Sequence, residues 1–179
     1  MSKQKITRAD LVKEGQVNIK FATAQTKRGG NEDHIIEKEH VDKVYMKPSE
    51  DLLNAFSKFI PHLMFKIGLF EIDTFRTEFF DNFEYLNDPR FSGVHVTGVM
   101  FVGKDQDAIK IIGKKVNENG DTTSLVSPII RLGEEFEDQY ALGNILRVQV
   151  ANWLKEVRNY VNGKYALEYQ LQMDLKVAS

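Results

Sequence analysis

Residues 91–132 read FSGVHVTGVMFVGKDQDAIKIIGKKVNENGDTTSLVSPIIRL. Three apolar, β-branched runs are separated by two polar punctuation marks, KDQD and NENGD. FSGVHVTGVMFVG, AIKIIGKKV and TTSLVSPIIRL each suit a strand. Asn119-Gly120 between the second and third is a strong short-range hairpin signal. The stretch therefore predicts a three-stranded antiparallel meander, around which the rest of the chain must be arranged.

Upstream, QVNIKFATA places Val17, Ile19 and Phe21 on one side and Asn18 and Lys20 on the other. That is the period-2 pattern of a half-buried strand. TKRGGNEDH contains Gly29, Gly30 and Asn31, residues tolerant of positive φ, and predicts a turn. IIEKEHVDKVYM then completes a second hairpin. Residues 1–15 are polar and read as a tail or a short helix.

Two main helices are expected. Pro48 and Ser49 precede Glu50 and Asp51, which suits a helix N-terminus with acids in its first turn. Leu52, Phe56, Phe59, Leu63 and Ile67 then recur at three- and four-residue steps over 49–68. Pro61 should kink or break this helix. The second main helix covers 137–162, with Phe136, Tyr140, Ile145, Leu146, Trp153, Val157 and Tyr160 on its apolar side and Gly163 as its terminator. A shorter helix is predicted around Phe75, Phe79 and Phe83, ending before Pro89. At the C-terminus, LEYQLQMDLKV alternates strictly over 167–177, a strand with one apolar face. No internal repeat or linker divides residues 1–179, so a single domain is expected. Its fold class is α+β: a mostly antiparallel sheet of five or six strands, with the two main helices packed on one face.

Composition narrows the function. The 179 residues are 42% apolar and 28% charged, a globular profile. The formal net charge is −2, from 24 basic and 26 acidic residues, so any nucleic-acid contact must rest on a local patch. There is no cysteine, which removes disulfides, thiolate metal sites and cysteine nucleophiles. The polar N-terminus carries no signal peptide, and no apolar run nears the ~20 residues of a membrane span. The expected location is the cytoplasm, without membrane contact.

Catalytic chemistry finds little support in the residue pattern. His34 and His40 are six apart on one strand, roughly 20 Å at ~3.3 Å per residue, too far to share a metal. His62 and His95 are isolated. Asp105 and Asp107 sit in a hairpin turn, where aspartate bonds the local backbone. Glu134, Glu135, Glu137 and Asp138 suit the first turn of the following helix. No phosphate-binding loop, G-x-S-x-G, H-E-x-x-H or G-x-G-x-x-G motif occurs. A non-enzymatic protein without metal or cofactor is expected.

The remaining chemistry lies in the meander. Lys110 and Lys114 project to one face of their strand and Lys115 to the other. With Lys104 and Arg131 nearby, they form a candidate phosphate contact, set against the plain role of lysine as a solvated or edge-protecting residue. Phe101 and Tyr45 are the candidate base-stacking platforms.

SPIIRL, an acidic stretch and a long helix closing in EVRNYVNGKYA together resemble a family of small bacteriophage proteins of unassigned function. Within it, a helix like LLNAFSKFIPHL follows an N-terminal hairpin. A strand like GVHVTGVMFV leads through a basic strand to a Pro-containing turn, here Ser127-Pro128. A terminal Y-x-x-G-K matches Tyr160, Gly163 and Lys164. The resemblance spans roughly residues 17–166 and implies a host-cell cytoplasmic protein encoded among early replication and recombination genes. Two functions follow as expectations. One is an accessory protein binding single-stranded nucleic acid through Lys104, Lys110, Lys114, Arg131, Phe101 and Tyr45. The other is an anti-defence or protein-interaction module, homo-oligomeric, that sequesters a host protein or nucleotide signal.

Overall fold

The computed structural model describes residues 4–12, 16–29, 32–44, 46–71, 87–103, 105–133 and 140–165, with side chains described outside residues 4 and 24–44. The fold is α+β. Strands β1 (Gln4–Val12), β2 (Gln16–Gly29), β3 (Glu32–Val44), β4 (Val94–Val102), β5 (Ala108–Val116) and β6 (Thr122–Val126) form an antiparallel sheet in the order β3-β2-β1-β4-β5-β6. A short β7 (Ile130–Arg131) pairs with β5 beyond the end of β6.

The meander and the first hairpin form, but the hairpin's strands run on through Thr26–Gly29 and Glu32–His34, into the stretch expected to be the turn. In the hairpin between β5 and β6, Asn117 N donates to Asp121 O and Gly120 N to Asn117 O. Gly120 takes φ +87°, so it fills the left-handed position of a three-residue loop. The third run is not one strand. It breaks at Ser127-Pro128, because proline cannot donate to the ladder. The Ser127 hydroxyl fills the gap, accepting from Ile111 N at 2.9 Å and donating to Pro128 O at 2.8 Å.

Where a tail or a short helix is expected over 1–15, the described residues are a strand. Residues 4–12 form β1, and it lies in the middle of the sheet, between β2 and β4. The register shifts between Ile6 and Arg8, so Thr7 is an extra residue. This bulge lets Ile6 and Ala9, three apart, face the same core.

Ser49 caps α1 (Glu50–Ser57), its hydroxyl accepting from Leu52 N. The expected helix over 49–68 is in two pieces. It breaks at Lys58-Phe59, and α2 (Ile60–Lys66) restarts with Pro61 in its first turn, where the missing N–H costs nothing. Helix α3 is Gly143–Val161. Residues 140–142 are non-helical, so the helix starts later than 137, because Tyr140 turns inward to bury its ring and hydroxyl. At the other end Gly163 N donates to Tyr160 O and Lys164 N to Asn159 O, the paired bonds of a Schellman cap.

Trp153 on α3 centres the core, fully buried, with edge-on contacts to Phe56 at 6.0 Å and Phe59 at 6.2 Å. Helices α1 and α2 lie on the face of the sheet that carries Val96, Val99, Ile109 and Ile111, and α3 packs on α1. Among the described residues, no helix covers the opposite face. No helix among them is long and apolar enough to cross a membrane. The helix expected at Phe75–Phe83, the acids at 134–138 and the strand expected over 167–177 lie outside the described residues.

Candidate functional site

The face of the sheet that no helix among the described residues covers is set by register, and its Lys20, Arg8, Met100, Lys110 and Lys114 side chains are half-buried. Ile109 and Ile111 are buried under the helices, so Lys110 and Lys114 project from the other side, as the alternation predicts. Lys110 pairs with Met100, Met100 with Arg8, and Arg8 with Lys20. Lys20, Arg8, Met100 and Lys110 thus form one row across four strands, about 14 Å long at ~4.8 Å per strand. Lys114 lies about 13 Å along β5 from Lys110 at ~3.3 Å per residue. Lys5, opposite Ala22, and Arg131, opposite Ala108, add positive charge at one end of the same face.

Arg8 is matched locally. Arg8 Nε donates to Asp10 Oδ2 at 2.6 Å, and both side chains remain partly exposed. Asp10 can fold down because its β4 neighbour is Gly98, where a Cβ would overlap Asp10 Oδ1. Lys110 and Lys114 make no ion pair among the described residues.

Phe101 is a correction. It faces the helices, 6.1 Å from Trp153, and belongs to the core rather than to a stacking platform. The β4 register shifts between Val96 and Gly98, which reverses the alternation before Phe101 is reached. Lys115 pairs with Val94 on the helix side. Lys104 and Tyr45 lie outside the described residues, as do the side chains of His34 and His40. Arg8 and Lys20 are the cations that sequence reasoning missed. The signal available was their mixed apolar and charged setting, but joining them needed the strand order.

Beside this face the sheet forks. Strands β1 and β4 pair only over Arg8–Asp10 and Gly98–Met100, and then separate. The opening is a cleft of about 670 Å³ between Leu11 and Val12 on one wall and His95, Val96 and Thr97 on the other. Leu53, Phe56, Ser57 and Ile60 floor it, and Lys114 stands at its mouth. His95 and Lys114 are direct cross-strand partners. Partial burial, and then the charge of Lys114, hold the His95 imidazolium below its ordinary pKa.

A second polar cluster is enclosed in the core. His62 on α2 is fully buried; its Nε2 donates to Gln149 Oε1 at 2.7 Å and its Nδ1 accepts from the Tyr140 hydroxyl. Tyr140 stacks on Phe65 at 5.6 Å, under the Lys66 ammonium. Burial lowers the His62 pKa to about 3 and raises that of Tyr140, so both are neutral. The cluster lacks access to solvent and holds α2 against α3. Among the described residues no group of three or more histidines and carboxylates could hold a metal ion. No protein-family model, curated protein or solved structure matches the chain.

Proposed function

We propose that the protein is a non-enzymatic nucleic-acid-binding protein that holds the phosphates of a single strand on the face of its sheet opposite the described helices, in the phage replication or recombination context that the sequence resemblance implies. The row Lys20–Arg8–Met100–Lys110, with Lys114 on the same face, carries this reading. A near-neutral chain is compatible with it because a phosphate contact needs only a local patch of cations.

A single strand releases counterions with a slope of about −0.7 in log K against log salt per phosphate neutralised. With Arg8 held by Asp10, the three cations Lys20, Lys110 and Lys114 give a slope of about −2, or roughly 20-fold between 50 and 200 mM salt. Fluorescence anisotropy of a labelled thymidine dodecamer measures this directly. The double variant Lys110→Glu/Lys114→Glu should bind at least tenfold more weakly with unchanged circular dichroism. Absence of binding at low salt and tens of micromolar protein sinks the proposal.

One observation favours a second reading, a protein-interaction module. Among the described residues β6 ends the sheet, and Val126 and Ile129 beside it are 49% and 54% exposed. An outer strand offers unpaired backbone to a partner strand. Light scattering that finds an oligomer dispersed by Val126→Lys would support it, and a monomer throughout would remove it.

A further inference from the structure

We infer that the cleft at the fork between β1 and β4 receives an unstacked nucleobase of the bound strand, with the adjoining phosphate on Lys114. The inference rests on the nucleic-acid reading above and adds the element that would distinguish a single strand from a duplex. Lys114 belongs to both places: it shares a strand face with Lys110 and it lines the cleft. A backbone lying on the cationic face therefore passes the mouth of the cleft.

The cleft suits a base. Its volume of about 670 Å³ falls within the range of ligand sites. Leu11, Leu53 and Ile60 offer apolar surface to the faces of a ring. His95 is exposed at the rim, an imidazole able to stack. Ser57 and Thr97 donate their hydroxyl protons to Leu53 O and Ile112 O, which leaves their oxygen lone pairs to accept from base N–H groups. None of the lining residues is acidic, so the site attracts a nucleotide rather than a cation. A paired base would have to flip out of its stack first.

The test compares a thymidine dodecamer with an abasic dodecamer of the same backbone, on the full chain. The abasic strand should bind at least tenfold more weakly with the same salt slope, since bases contribute apart from phosphates. Leu53→Trp fills the cleft from an exposed position on α1, so the fold is not at risk. It should bring the thymidine strand down to the abasic affinity. Equal binding of the two strands by the native protein, or a base effect intact in Leu53→Trp, overturns the cleft while leaving the phosphate reading standing. Binding of neither strand ends both. Displacement by thymidine monophosphate at concentrations near the dodecamer's Kd would make the site one for free nucleotides, and would overturn the strand-bound form.

Discussion

Acid should unfold this protein through His62. In the unfolded chain it is an ordinary histidine with a pKa of 6.5; in the fold, burial holds it at about 3. The bond to Gln149 pushes against this, and Lys66 adds a still smaller push in the same direction as burial. Below pH 6.5 the unfolded state takes up a proton that the folded state refuses. Stability is therefore full above pH 6.5 and falls progressively towards pH 3. At about 1.4 kcal/mol per pH unit, the loss from pH 6.5 to pH 5 is about 2 kcal/mol. That is a large share of the 5–15 kcal/mol typical of a domain. Urea unfolding at pH 7.5 and pH 5 measures it, with His62→Gln as the comparison. The variant loses stability at both pH values, because the Tyr140 hydroxyl and the Gln149 amide lose their geometry. Its change between the two pH values should nevertheless be smaller than that of the native protein by about 2 kcal/mol. His95 titrates in both proteins and cancels in the difference. Equal losses in the two proteins would refute the reasoning, since the buried imidazole would then be taking up its proton without cost.

Two further outcomes follow from the core. Ser127→Ala orphans the Ile111 N–H at the break between β6 and β7, and should cost about 1–3 kcal/mol in urea unfolding. Trp153→Ala should cost about 3–5 kcal/mol, whereas Trp153→Phe should cost less than about 1.5 kcal/mol. The difference arises because phenylalanine keeps the ring among Phe56, Phe59 and Phe101 and removes an indole N–H that has no partner among the described residues; equal melting temperatures for the two variants would contradict it.

What the sequence disclosed and what it hid divide along local and non-local lines. Alternation in Val17–Phe21 and Ile109–Ile111, the Ser49 cap, the Pro61 break and the Gly163 stop are local signals, and each appears in the structure. Two β-bulges account for the main errors. Thr7 puts Ile6 and Ala9 on one face at a three-residue step, so β1 shows no clean period and its sequence reads as a tail or a short helix. On β4, strict alternation from Val94 and Val96 would turn Phe101 outward; the shift before Gly98 turns it onto Trp153. Lys110 and Lys114 were placed correctly by their own strand. Arg8 and Lys20 could join them only through the pairing of β1 with β4, which lies far along the chain.

That pairing also orders the assembly of the protein during synthesis. β1 leaves the ribosome before either partner and finds β2 within a few residues, but β4 follows about ninety residues later. Local hairpins close quickly, and closure across a long loop comes last. The nascent β1–β2–β3 unit thus waits with one bare edge, the situation in which strands recruit strangers. Arg8 and Asp10 stand on that edge, and they are two of the three β1 residues that later meet β4. Their charges make the waiting edge a poor template for another chain, and their mutual ion pair keeps both charges matched on the sheet face once the right strand arrives.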